Sequence, residues 1–258
     1  MLEQITPLIL TYNEAPNIAR TLGQLKWARD IVVVDSNSTD ETPAILATFP
    51  NVRVYSRAFD NHAAQWNFGL RETGISTPWV LALDADYIVT DPLVAELRGL
   101  APADAVAGYW ARFRYCVNGR PLRGSAYPPV TALYRRALAG YVQDGHTQRV
   151  RVEGQVLSLA QPIHHDDRKP LRHWVMAQER YMRLEVVKLR ATPWARLGWA
   201  DRLRRMRVVA PFVMLVYCLF ARGAIFDGRA GIYYAMQRCF AELLLSLCLL
   251  EGDIFGPQ

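Results

Sequence analysis

Residues Trp79 to Val89 read "WVLALDADYIV". The apolar run Trp79–Leu83 is uninterrupted and about as long as a strand, which is the pattern of a strand covered on both faces, as in a parallel sheet. Two carboxylates, Asp84 and Asp86, stand where that strand should end. Side chains two apart on a strand fall on the same side of the pleat, so the pair can jointly hold a hard divalent cation such as Mg²⁺ or Mn²⁺. An Asp-x-Asp triplet is common in any chain, so its meaning depends on what else converges on that strand end.

Working outward, the first hundred residues alternate strand-like runs with helical periodicity. "ITPLILTY" reads as a strand, followed by a helix with Ile18, Leu22 and Leu25 on one face and Pro16 in its first turn. "DIVVVD" is the next strand, and Ser38 and Glu41 have capping-box spacing before "TPAILATF". "VRVY", a helical stretch from Asn61 to Thr73, the Trp79 strand, and a helix capped and opened by Asp91 and Pro92 complete the series. Strand-helix alternation predicts a mostly parallel α/β sheet with helices on both faces. Ligands of such sheets bind off the carboxyl ends of the strands, where Thr11–Glu14, Asp35–Ser38 and Asp84–Asp86 all fall. From residue 105 the signals become antiparallel: Asn118-Gly119 marks one hairpin, and "RVRVEGQVLSL" alternates around Glu153-Gly154. A long amphipathic helix from Pro170 to Ala191 follows.

The chain has 258 residues, half of them apolar, which excludes a disordered polymer. Its four cysteines show no CxxC pair, and the N-terminus lacks the form of a signal peptide; free thiols in a reducing compartment are expected. The net charge of +6 is uneven: residues 1–160 hold 15 Lys/Arg and 15 Asp/Glu, and residues 161–258 hold 15 and 9. The first strand is followed by "TYNEAPN" in place of a glycine-rich turn, and no Walker A sequence is present, so the dinucleotide and P-loop classes are excluded. What remains is a nucleotide site of carboxylates and amides, with Asp35 accepting from a ribose hydroxyl or base N–H and the Asp84/Asp86 pair anchoring a diphosphate through a metal.

"LILTYNEAPNIARTL", "IVVVDSNSTDET", "QWNFGL" and "ALDADY", in this order and spacing, resemble the family-two glycosyltransferases of the GT-A fold. The similarity is greatest to the bacterial branch that includes lipopolysaccharide core β-1,4-glucosyltransferases, and "HDDRKPLRHW" and "DGRAGIYYA" extend it into the C-terminal half. The resemblance implies that Thr11, Glu14 and Asp35 line a nucleotide-sugar pocket, that Gln65 and Asn67 approach it, and that Asp84 and Asp86 form the Asp-x-Asp motif with Asp86 as the main ligand of Mn²⁺ or Mg²⁺. It also implies a GT-A domain over residues 1–168, with a nucleotide part to about residue 100 and an acceptor part beyond.

An inverting transferase needs a group that deprotonates the acceptor hydroxyl. Members of this branch commonly carry a His-Glu pair where this chain has "QDGHTQRV", with Thr147 at the Glu position. Asp144 is the first candidate base and His146 the alternative; a turn-forming role for Asp144 competes with both. In "PIHHDDRK" adjacent strand residues face opposite sides, so one of His164 and His165 faces the metal; His165 is favoured. Asp166, Asp167 and Arg168 alternatively form a solvated cap for the next helix, and Arg168 and Lys169 are placed to screen diphosphate charge. Trp66 and Phe68 read as core ahead of sugar platforms, and Tyr109, Trp110, Phe113 and Tyr115 as core or acceptor-stacking surface.

Residues 169–258 read as a helical, membrane-associating extension. The run Val208–Ala221 is 14 residues with Pro211, too short to span a bilayer, and the later run carries Gln237, Arg238, Glu242 and Ser246 in a stripe. Trp194, Trp199 and Arg202, Arg204, Arg205 and Arg207 precede the first run, as in segments that lie in an anionic membrane interface. The expectation is a transferase using a nucleotide-sugar donor and a glycolipid or glycan acceptor. It would sit as a peripheral or monotopic protein on the cytoplasmic face of the bacterial inner membrane. A catalytically degenerate scaffold and a nucleotidyltransferase are the alternatives. Nucleic acid is not an expected partner, because the arginines adjoin apolar runs.

Overall fold

The computed structural model describes residues 1–144 and 147–256, and of Asp144 and Thr147 only the backbone. The chain divides into two compact units, one of residues 1–119 and 127–169, the other of residues 120–126 and 170–258. The break at Lys169 lies one residue from the expected boundary, and the segment 120–126 joins the C-terminal unit.

The first unit is built on a sheet whose parallel centre is β1 (Ile5–Thr11), β2 (Ile31–Asp35), β3 (Val52–Ser56) and β4 (Trp79–Asp84). Helices α1 (Ile18–Gly23), α2 (Thr42–Leu46) and α3 (His62–Arg71) connect these strands. After β5 (Tyr87–Ile88) and α4 (Asp91–Gly99) come β6 (Val106–Ala111) and β7 (Phe113–Val117). The two-residue β8 (Arg120–Pro121) falls in the other unit. Then follow β9 (Val130–Arg135), the hairpin β10 (Ala139–Asp144) and β11 (Thr147–Val152), β12 (Gln155–Ser158) and β13 (Ile163–His165). The main sheet has the order β12-β6-β9-β4-β1-β2-β3, with β9 antiparallel to β4 and β6. This is the mostly parallel α/β architecture that the strand-helix alternation predicts, in the GT-A form that the resemblance implies.

The period-two rule divides the core. Ile5, Ile9, Ile31 and Val33 pack on one face with Ile18, Leu22 and Leu25, and Leu93 and Leu97 of α4. Leu8, Val32 and Val34 pack on the other with Trp66 and Leu70 of α3. Trp66 is thus core, stacked on Tyr141 at 5.2 Å, and Phe68 packs against the same cluster.

Four local expectations are corrected. Ser38 does not cap α2: its hydroxyl binds Asp35 and accepts from the Asn13 N–H, and α2 starts at Thr42. Thr90, not Asp91, is the N-cap of α4. Glu153-Gly154 does not join paired strands, because β11 pairs with β10 while β12 runs parallel to β6 at the sheet edge. The stretch after residue 105 splits at Arg112, β6 entering the main sheet and β7 pairing with β13.

The second unit holds α5 (Leu171–Ala191), α6 (Trp199–Arg205), α7 (Val209–Val216), a π-helical turn at Tyr217–Ala221, and α8 (Gly228–Phe255). Met182, Leu189, Leu245 and Leu249 form the α5–α8 seam. Gly231 is required where α8 passes the preceding loop, since a Cβ there would lie 1.8 Å from the Ala224 carbonyl oxygen. The arginine cluster differs from its expected role. Arg204 donates to buried Glu242 at 2.7 Å and neighbours Asp201 and Glu185, and Arg207 pairs with Asp253. Glu242 and Ser246 of the α8 stripe therefore pack internally against Arg204 and Arg207, and Arg202 is the exposed member of the four.

Candidate active site

Thr11 and Asp35 are register partners at the ends of β1 and β2, and both are buried. Thr11 Oγ1 donates to Asp35 Oδ1 at 2.8 Å, the Ser38 hydroxyl donates to the same oxygen at 2.6 Å, and the Ser38 N–H donates to Oδ2 at 2.8 Å. The carboxylate is held by both strand-end loops, with lone-pair capacity left on Oδ2. These loops turn without glycine because Asn13 and Asn37 adopt left-handed backbone (φ 53° and 60°), which asparagine tolerates. Asn13 Oδ1 in turn accepts the Thr39 N–H at 2.8 Å.

Asp84 ends β4, and Asp86 follows one residue beyond Ala85. Between β5 and β7, β13 carries His165 in register with Tyr87 and Tyr115. Its Nε2 lies 3.1 Å from Asp86 Oδ2, and the rings of Tyr87, Tyr115 and Tyr127 hold its plane at 5.0–5.3 Å. His164 lines a separate polar cleft with Arg20, Cys116 and Asp166. The pleat thus brings His165, and not His164, to the carboxylate pair. Burial would favour neutral forms, yet Asp86 is held below and His165 above its ordinary value because each stabilises the other's charge. For Asp84 the balance goes the other way: burial, and then the Asp86 charge, outweigh the Tyr87 hydroxyl and the charges of His165 and Lys169, and raise it to about 6.

Lys169 and Asn17 complete the cluster. Lys169 Nζ donates to Glu14 Oε1 at 2.6 Å, and the Asn17 amide donates to Glu14 Oε2 and to Asp167 Oδ1, each at 2.8 Å. Asn17 Oδ1 accepts from Arg20 and from the Arg168 N–H, both at 2.8 Å. One fully buried amide therefore ties the β1–α1 turn to the segment after β13. Burial works against the charge of Lys169, but Glu14, Asp167 and Asp86 raise its pKa. Asp166 is no solvated cap: it is buried and receives Arg20 at 2.7 Å, Arg168 at 2.9 Å and the Gly119 N–H at 2.9 Å. Arg168 is thereby directed to Asp166 and Asn118.

Burial, and then the Asp86 charge, raise Glu14 to about 7. Between the ordinary carboxylate range and that value, folded Glu14 and Asp84 hold protons that the unfolded chain has released. Their contribution to stability is therefore fully present at low pH and falls as pH rises through this window. A cation bound beside these carboxylates would compete with the same protons, so its stabilisation would grow as they leave. The rise in Tm on adding Mn²⁺ is expected to be larger at about pH 7.5 than at about pH 5.5. An equal rise at both would show that neither carboxylate meets the ion.

Gln65 is fully buried; its Nε2 donates to Ser36 Oγ at 2.9 Å and its Oε1 accepts from Arg57. It therefore reaches the loop after β2 and positions Arg57, whose guanidinium also meets Asp60 at 2.6 Å. Asn67 does not turn its amide to the pocket. It donates to the Tyr141 carbonyl and accepts the Tyr141 N–H, both at 2.9 Å, clamping α3 to β10. Asn67→Ala strands both backbone groups and is expected to cost about 1–3 kcal/mol, measured by urea unfolding. An unchanged midpoint would show that water replaces the clamp. Asp144 is the last residue of β10, paired with Thr147, while its side chain and all of His146 lie outside the described residues. Sequence reading missed Asn17, Arg20 and Arg57; the only available signal was their proximity to the motif segments.

Among the described residues no three His, Cys, Asp or Glu side chains form a ready cage for a metal. Asp86 Oδ1 and His165 Nδ1 are nevertheless buried with no hydrogen-bond partner. An oxygen-and-imidazole set of this size fits Mn²⁺ or Mg²⁺ of the kind that takes one or two protein carboxylates and completes its shell with substrate phosphate and water.

The family model of glycosyl transferase family 2 matches residues 8–155, more than half of the chain, and the chain belongs to that family. It is 30% identical over 141 residues to the lipopolysaccharide core biosynthesis glycosyltransferase LpsC of Rhizobium meliloti, covering 52% of this chain and 49% of that one. It is 35% identical over 149 residues to the succinoglycan biosynthesis protein ExoO of the same organism, covering 54% and 42%. The matches to these curated relatives span about half of their length or less. Among solved structures, S. aureus TarS in complex with UDP-GlcNAc aligns at 13% identity and TM-score 0.48, over 97% of this chain and 91% of that one.

Proposed function

We propose that this chain transfers a sugar, with inversion, from a nucleoside-diphosphate sugar to a glycolipid or glycan acceptor in bacterial envelope polysaccharide or lipopolysaccharide synthesis. The observation that carries this reading is the convergence of Asp35, Asp84, Asp86, His165, Glu14 and Lys169 at one end of a parallel sheet, where α/β folds bind nucleotides. The names of LpsC and ExoO support the envelope setting. Asp35 takes the nucleoside through its remaining lone pairs. Asp86, with His165 and Asp84, would hold a divalent ion that offsets charge on the departing diphosphate. Lys169 is the cation within reach of the same phosphates, exchanging Glu14 for them. Asp144, with His146 as the alternative, removes the acceptor proton. The exposed apolar helices of the C-terminal unit support a place at the cytoplasmic face of the inner membrane.

The test offers purified protein and Mn²⁺ a panel of nucleotide sugars and reads release of nucleoside diphosphate. One responding donor is expected. Its anomeric configuration is then compared with that of the transferred sugar. No release from any donor favours a scaffold, release of pyrophosphate from nucleoside triphosphate and sugar phosphate favours a nucleotidyltransferase, and a retained configuration ends the inverting assignment.

A further inference from the structure

We propose that the C-terminal unit is a lipid-binding platform in which one stripe of α8, with the groove beside it, takes hydrocarbon chains of an anionic bilayer while the helices lie along its surface. This rests on the reading that the acceptor is held at a membrane. It moves the attachment from the arginines at 204 and 207, which are paired internally, to an apolar face.

The stripe is Met236, Phe240, Leu243, Leu247, Leu250 and Ile254, spaced four and three residues apart over about 27 Å of helix. Met236, Leu247 and Ile254 are 62%, 54% and 69% exposed, and no charged residue interrupts the row. Phe240, Leu247 and Ile254 also line a groove of about 590 Å³ against Val175 and Met176 of α5, which is mostly apolar but also lined by Glu179, Arg183 and Glu251, so stripe and groove are continuous. Continuous exposed apolar area of this kind marks a binding face.

Four-three spacing is also a coiled-coil seam, which makes a second copy of the chain the rival occupant. Charge favours lipid. The unit holds 15 Lys/Arg against 7 Asp/Glu, whereas the remainder of the chain holds 15 against 17. Two copies would bring like charge together, and an anionic surface brings the opposite. A helix seated on α8 would also leave Val208, Phe212, Val216 and Phe220, exposed at four-residue spacing, without a cover. Among the described residues no single helix is long and apolar enough to cross a membrane; Val209–Ala221 and Ala224–Phe255 qualify only as a pair bent by 68°. That geometry suits helices lying in the interface.

The test floats the full chain with vesicles of phosphatidylcholine and phosphatidylglycerol, and measures its mass by sedimentation. Wild type is expected to float in low salt, to be retained in large part at high salt, and to sediment as a monomer. Leu243→Glu/Leu247→Glu is expected to lose at least two orders of magnitude in vesicle affinity, since burying each leucine is worth a factor of roughly ten to a hundred. Its hydrolysis of donor sugar in solution should be unchanged, which also reports that it folds. Flotation of the variant equal to wild type overturns the proposal, as does a wild-type dimer that the variant converts to monomer. Stripe-dependent flotation without any donor hydrolysis would instead keep the platform and remove the transferase reading.

Discussion

Asp86→Asn is expected to lower donor turnover by about 10³-fold or more, because the metal's charge stabilisation is worth several kcal/mol and each 1.4 kcal/mol is a factor of ten. Asn is the informative replacement. Asp86 is buried against His165, and an amide keeps the side-chain volume and a partner for the imidazole. Ala would leave that buried imidazole alone, a loss of stability that would obscure the kinetic one. Removing the charge also relieves its repulsion of Glu14 and Asp84, so both carboxylates should titrate closer to their ordinary range. The paired measurement is the Mn²⁺-induced rise in Tm, present in wild type and absent in Asp86→Asn. Full turnover by the variant, or by wild type in excess chelator, would remove the metal from the reaction.

Asp144→Asn is expected to lower kcat by 10²- to 10⁴-fold, in the range for a lost general base, with donor affinity unchanged. Its backbone closes β10 opposite Thr147, whose hydroxyl cannot supply a base at neutral pH. Asparagine retains the turn-forming preference of aspartate, so the β10–β11 hairpin should survive. The discriminating result is the pair of variants: near-normal Asp144→Asn together with inactive His146→Ala transfers the role to His146. If both are near normal, the base lies elsewhere on the acceptor side.

The parallel centre of the sheet was legible because its signals are local. "VLAL" and "IVVV" have the length and the unbroken apolar run of strands covered on both faces, and Ile18, Leu22 and Leu25 repeat at helical spacing. The pleat also separated His165 from His164, since neighbours on a strand must face opposite ways. Asp35 at the end of β2 and Asp84 at the end of β4 followed from the same pattern. The second half was less legible where local signals were degenerate. Glu153-Gly154 is as good a turn as Asn118-Gly119, and only the free edge of β6 decides that β12 leaves β11 for the main sheet.

What the chain's order of residues determined by itself was therefore the alternation of elements, the rim they share and the acidic residues on it. Tertiary structure alone decided how that charge is neutralised. Lys169 reaches Glu14 across 155 positions, Asn17 reaches Asp167 across 150, and Arg204 is drawn from an expected lipid surface to Glu242. Periodicity reports which face of an element is buried, but not which distant element buries it. A charged side chain goes to whichever counter-ion the packing leaves nearest, because a buried charge without one is too costly to keep.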